Sequence, residues 1–178
     1  EQALDALGEA DYDVVILGET ALTAGQVTTL SNWVSGGGNL IAMKPDKQLA
    51  GLLGLTDGAA TVSEGYLLVN TASDPGIGIV DQTIQFHGTA DRYTLNGASS
   101  LATLYADAST ATANPAVTLR SVGASGGQAA AFTFDLARSI VARDAAGTHH
   151  GVRRVARPRR SAGRRPAAAL GRVHATRR

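Results

Sequence analysis

Few side chains in this chain can do chemistry. His87, in "QFHGTADRYT", is the only histidine before the last 37 residues and lies four positions ahead of Asp91. A histidine beside a carboxylate is the pairing of a general base or of half a metal site. No nucleophile stands at a fixed spacing from it, and no His-x-x-x-His or comparable ligand pair accompanies it, so His87 and Asp91 are catalytic candidates without a complete constellation and no metal site is expected. Cysteine is absent, which excludes disulfides, a thiolate metal centre and a cysteine nucleophile. A second polar set follows the apolar runs: Glu19 after "VVIL", Lys44 and Asp46 after "LIAM", Asp135 and Arg138 after "FTF". In open parallel sheets, ligands bind at the carboxyl ends of strands, so these five residues are the candidate ligand-binding group. A purely structural reading of the same residues stands beside it: Asp46 and Asp135 as helix caps, Glu19 as a strand end, Lys44 and Arg138 as local charge balance, His87 as a turn residue. The glycine-rich "SGGGNL" follows a helical pattern instead of preceding one, and "GIGIVD" lacks both the dinucleotide and the P-loop signature, so no nucleotide cofactor, or any other, is expected.

These side chains must be positioned by the elements around them. "DYDVVILGE" carries four consecutive apolar residues, Val14 to Leu17, the pattern of a strand buried on both faces. In "TAGQVTTLSNWVSGGG", Thr23 and Gln26 have capping-box spacing, Val27, Leu30 and Val34 recur on one helical face, and Gly36 to Gly38 provide a stop, predicting a helix over 24–35. "NLIAMKP" reads as a second buried strand, and "DKQLAGLLG" as a helix capped by Asp46 with Leu49, Leu52 and Leu53 inward. Strand, helix, strand, helix with short turns predicts right-handed crossovers and a parallel sheet. Shorter strand-like runs follow at "YLLVN", "TIQFHG", "SLATLYAD", "PAVTLRSVG" and "QAAAFTF", with a hairpin around Ala124 to Gly127 and a last helix opening at "DLARSIV". The opening "EQALDALG" places Ala3, Leu4 and Leu7 at helical spacing before Gly8. The predicted core is Val14, Val15, Ile16, Leu17, Val27, Leu30, Leu40, Ile41, Leu49, Leu52, Phe132 and Phe134.

On the stretch "YDVVILGETALTAGQVTTLSNWVSGGGNLIAMKPDKQLAGLLGL" the chain resembles the class I glutamine amidotransferase-like superfamily. The closing unit "NPAVTLRSVGASGGQAAAFTFDLARS" resembles the end of such domains in β-galactosidase trimerisation modules and related exported bacterial proteins. The resemblance implies a flavodoxin-like three-layer α/β sandwich with a mainly parallel sheet, incomplete at both ends, over residues 1–141. Amidotransferases of this class act through a cysteine, which this chain lacks, and Gly88 stands after His87 where the family's pattern has Pro-Glu. The implied function is therefore a non-catalytic interaction or scaffold module of a larger, exported, extracellular protein, accessory to carbohydrate processing, with other domains of the parent chain or another protein as partner. The alternative is a hydrolase or ligand-binding domain using the polar strand-end residues.

The last segment has another character. Through Val141 the chain carries fourteen acidic and five basic side chains, whereas 142–178 holds eleven arginines, one acid and no lysine or aromatic residue. Eleven arginines could each neutralise a phosphate, which makes nucleic acid the partner if this tail is native. The Arg-Ala-Gly-Pro vocabulary is also that of GC-rich DNA translated out of frame, and the segment is expected to be a disordered frameshift product. No apolar run approaches the ~18 residues of a membrane helix, so no membrane partner is expected.

Overall fold

The computed structural model describes residues 12–145. The expectations for the amino-terminal helix and for the arginine-rich tail beyond residue 145 lie outside the described residues. The elements in chain order are β1 (Val14–Leu17), α1 (Ala24–Ser35), β2 (Asn39–Met43), a 3-10 turn (Lys47–Leu49) running into the short α2 (Ala50–Leu53), β3 (Leu55–Ser63), β4 (Tyr66–Val69), β5 (Ile84–Gln85), β6 (Thr89–Leu95), β7 (Ser99–Tyr105), β8 (Ala111–Val122), β9 (Gly127–Phe132) and α3 (Leu136–Ala145). None of the described helices is long and apolar enough to cross a membrane.

The first crossover follows the sequence pattern. Thr23 accepts from the Gln26 backbone N–H at 3.3 Å while the Gln26 side chain accepts from the Thr23 N–H at 3.0 Å, closing the capping box at the start of α1. Gln26 is buried while Thr23 is exposed, so the cap is only partly removed from water. Thr23→Ala is expected to cost about 1 kcal/mol, read as a fall of roughly 4 °C in Tm by circular dichroism; a melt superimposable on that of the parent would show that the box contributes nothing. At the other end Gly37 turns with φ +118°, and Gly38 lies under the Trp33 indole with no room for a Cβ. The chain then re-enters as β2, parallel to β1 as predicted, with Ile16 opposite Ile41 and Leu17 opposite Ala42.

The flavodoxin-like expectation ends there. The main sheet has seven strands in the order β1-β2-β9-β8-β7-β4-β5, and only β1, β2 and β9 run parallel. From β9 outward every pairing is antiparallel. The result is a mostly β molecule built on a mixed, curled sheet, not a mainly parallel three-layer sandwich. The physical cause lies in the connections. A parallel return needs a dozen or more residues of crossover, whereas β7 to β8 and β8 to β9 are joined by short turns, the latter over residues 123–126. A separate antiparallel ribbon, β3 with β6, was not foreseen. It contributes Leu55 and Tyr93 to one core cluster and Val62 and Ala90 to the other.

The core lies on one face of the sheet. The ladder Leu17, Ala42, Ala131 and Thr118, set opposite one another across four strands, is buried. Against it pack Leu30 and Val34 of α1, Leu49 of the 3-10 turn, Leu53 of α2, and the ribbon. Arg120 reaches from β8 to the carbonyls of Gly51 and Leu52, placing a cation at the end of α2 where carbonyl dipoles favour one. The next ladder, Ile16, Ile41, Ala130 and Leu119, points to the opposite face, where Ile16 is 65% exposed and Val14 50%. The predicted core members Val14 and Ile16 are thus surface residues, and Ile41 is half-buried. Leu17, Leu30, Leu40, Leu49 and Phe134 are buried, with Val15, Val27, Leu52 and Phe132 partly so. A run of four apolar residues signals burial on both faces only when both faces are covered, and among the described residues this sheet has one.

Candidate functional site

Two polar groups emerge. The first gathers at the carboxyl ends of β1 and β2. Lys44, directly after β2, takes a left-handed conformation (φ +44°) that lets its N–H donate to the Phe132 carbonyl at 2.8 Å, binding the strand end to β9. Its Nζ reaches Glu19 Oε1 at 2.6 Å. Asp46 is spent structurally: Oδ1 accepts from the Gln48 N–H and Oδ2 from the Leu22 N–H, both at 2.9 Å. Those two amides hold its carboxyl below the usual range, the Gln48 bond most strongly. Asp46 therefore caps its turn, as one reading of the sequence had it, and also ties the loop after β1 to the segment after β2. Lys47 and Asp57 form a further ion pair at 2.8 Å, which lowers the Asp57 carboxyl and raises the Lys47 ammonium.

Asp91, from β6, is drawn into this neighbourhood and not to His87. Its backbone N–H donates to the Thr133 carbonyl at 2.9 Å, and its side chain is buried, within the fields of Lys47, Lys44, Asp57 and Glu19. Burial pushes its carboxyl above the ordinary range, and Lys47 and Lys44 pull it only partly back. A carboxyl whose folded-state value is raised favours the protonated fold, so its stabilising contribution is full below the unfolded value near 3.9 and is lost as pH rises through the folded one. Asp91→Asn is accordingly expected to melt above the parent at pH 7, with the advantage shrinking as the pH approaches 4. A melt unchanged or lowered at pH 7 would count against this account.

The second group surrounds His87. Glu64, in the turn between β3 and β4 at φ +49°, presents Oε2 to His87 Nδ1 at 2.8 Å and accepts the Gly88 N–H on Oε1 at 2.6 Å. The Gly88 amide is the main reason its carboxyl sits low, with His87 and then Arg138 adding to it. Ser139 of α3 accepts the His87 N–H at 3.1 Å, and its own hydroxyl lies within reach of the His87 and Asp135 carbonyls. Asp135 caps α3 by accepting the Arg138 N–H at 3.0 Å. The partner of His87 is thus Glu64, a residue no spacing argument could reach from 23 positions away. Asp135 and Arg138 belong with this second group, apart from the pair Glu19 and Lys44. Among the described residues no three His, Asp or Glu side chains converge as a metal site would require.

The fold thus defines a class: a small mixed-sheet domain with helices and a β-ribbon packed on one face and several of its charged side chains, Glu19, Lys44, Asp46, Lys47, Asp57, Glu64 and Asp135, engaged in caps and ion pairs. No family model matches the sequence, and no curated protein matches it. Solved structures share its fold at low identity. An exo-β-1,4-mannosidase from an Opitutaceae bacterium, strain TAV5, superposes with a TM-score of 0.56 at 18% identity over 76% of this chain and 23% of its own. A β-galactosidase from Bacillus circulans sp. alkalophilus gives 0.56 at 15% identity over 78% and 24%. A cytoplasmic protein of Salmonella typhimurium LT2 gives 0.53 at 12% identity over 73% and 63%. The chain thus spans about a quarter of the length of the two glycosidases. These likenesses agree with the β-galactosidase side of the resemblance read from the sequence. The flavodoxin-like fold is overturned by the antiparallel outer sheet, the amidotransferase-like likeness finds no counterpart among these neighbours, and export draws no support from neighbours that include a cytoplasmic protein.

Proposed function

We propose that this chain is a non-catalytic accessory module of a larger carbohydrate-processing protein, serving interaction or scaffolding toward other domains of its parent. The observation that carries this reading is the use made of its functional groups: both oxygens of Asp46 accept backbone amides, Glu19 is held by Lys44, and His87 is held by Glu64. The size relation to the mannosidase and the β-galactosidase, each matched over about a quarter of its length, supports the same reading. A panel of aryl glycosides incubated with the full chain is expected to show no turnover above buffer, and mono- and disaccharides to leave the Tm unmoved. Hydrolysis that disappears in His87→Ala or Asp91→Asn, with the melt intact, would instead establish the enzymatic reading.

The rival with a specific observation behind it is a ligand site at the strand ends, because Asp91 is buried beside two lysines that are each engaged by another carboxylate. A ligand there would raise the Tm of the parent, and the rise would be lost in Asp91→Asn and Glu19→Gln.

A further inference from the structure

The open face of the main sheet holds a groove of about 680 Å³. The ladder Ile41, Ala130 and Leu119 lines it together with Phe132, and the loop between β4 and β5 forms one wall through Pro75 and Ile79. Apolar exposure continues along that loop, where Ile77 is 62% exposed and Val80 59%, more surface than a small ligand in the groove would cover. Charge around the groove has one sign. Among the described residues lining it Asp74 alone is ionisable, Asp13 directly precedes Val14, which also lines it, and Asp81 follows Ile79 by two positions. All three aspartates are exposed and stand outside the ion pairs found among the described residues. Basic side chains are engaged elsewhere: Lys44 with Glu19, Lys47 with Asp57, Arg120 with the carbonyls of Gly51 and Leu52, and Arg138 beside Gly88.

We propose that this groove receives an amphipathic helix from another domain of the parent chain, its apolar side turned inward and lysine or arginine along its margins. The proposal rests on the accessory-module reading above and names the chemistry of the partner that reading requires. Two observations choose the occupant. The strands beneath the groove already spend their backbone groups on one another in the ladders, so a segment lying across them must satisfy its own N–H and C=O groups, as a helix does and an extended strand does not. The acidic margin selects the sign: a cationic side chain beside the apolar ridge gains by meeting Asp74 and Asp81, whereas a second copy of a body with fourteen acidic and five basic side chains would set acid against acid.

The probe is a synthetic helical peptide with leucine at i, i+3, i+4 and i+7 flanked by lysine, titrated against the full chain by fluorescence anisotropy. Two further peptides serve as controls, one with glutamate in place of each lysine and one of the same composition with its leucines scattered around the helix. The lysine peptide is expected to bind about tenfold more tightly than either control, and less tightly as salt rises. Asp74→Lys with Asp81→Lys, both on the exposed loop, is expected to transfer the preference to the glutamate peptide, and Leu119→Ser to weaken both by a similar factor. Melts establish that each variant folds, and if Leu119→Ser does not, the charge exchange decides alone. Equal binding of the scattered peptide would reduce the effect to charge, and a preference untouched by the charge exchange would place the helix elsewhere; either result overturns the proposal. Binding of neither ordered peptide overturns it too, in favour of a second copy where sedimentation shows a dimer and of the chain's own remaining residues where it shows a monomer. Turnover of an aryl glycoside with the lysine preference intact would sink the accessory-module reading and leave the docking standing, whereas no binding and no turnover does the reverse.

Discussion

Replacing Phe134 by alanine is expected to remove most of the stability of the domain. The chain has three phenylalanines, and Phe86, Phe132 and Phe134 all meet at one point. Phe134 stacks on Phe86 with ring centroids 4.7 Å apart and meets Phe132 edge to face at 5.9 Å. It is 1% exposed and sits between the end of β9 and the start of α3, in the cluster that also holds Val62, Leu67 and Leu104. Truncating a fully buried phenylalanine costs about 3–5 kcal/mol through lost transfer energy and the cavity left behind. Against a total of roughly 5–15 kcal/mol, that leaves a fold close to its threshold. The double variant Phe86→Ala with Phe134→Ala is expected to cost less than the sum of the singles, because the stacked pair is counted in each. Chemical denaturation of the four proteins reads both results, and strict additivity would mean that the stack contributes nothing of its own.

Gly127→Ala is expected to be nearly as damaging, for a different reason. Gly127 opens β9 where the end of α1 crosses it, and a Cβ there would coincide with the Val34 carbonyl oxygen and press on that of Gly38 at 3.1 Å. Both obstacles are backbone, so no side-chain rotation relieves them. Either α1 lifts from the sheet or β9 shifts against β2, and the layer of Ala42, Ala129 and Ala131 beneath α1 shows how closely the two are packed. Overpacking of this kind costs about 1–3 kcal/mol and more where the backbone itself must move. A fall of roughly 10 °C in Tm is the expected reading. A substitution tolerated within about 2 °C would mean that the helix stands further from the sheet than described. Gly126→Ala, one position earlier, gives a contrast: its Cβ would meet open space, and its left-handed φ of +86° is the only obstacle.

The local elements were legible where short-range chemistry settles them. The capping box of Thr23 and Gln26 and the caps at Asp46 and Asp135 rest on side chains, and the glycine stop after Ser35 on backbone amides, that act within about five residues of themselves. The parallel pairing of β1 with β2 was legible too, because one amphipathic helix and its glycine turn leave a strand no other way to return. The ribbon strands were not: "LTDGAATVS" and "TADRYTL" lack a clean alternation, and burial of Tyr93 and Ala90 depends on what the ribbon lies against.

The polar groups divide in the same way. Sequence alone identified Glu19, Lys44, Asp46, Asp135 and Arg138 as residues with chemistry to offer because they follow apolar runs, and His87 with Asp91 because a histidine stands near a carboxylate; Asp91 in fact lies within β6 and Arg138 within α3. Tertiary structure decided their partners: Glu64 for His87, Lys44 for Glu19, and for Asp91 a buried place beside Lys44 and Lys47. It also decided the faces of the sheet. The apolar run Val14 to Leu17 determined that a strand forms, but not that only Leu17 among its residues would be buried. Hydrophobic patterning records which residues gain by leaving water, and only the long-range packing of α1, α2 and the ribbon on one face of the sheet determines which of them do so.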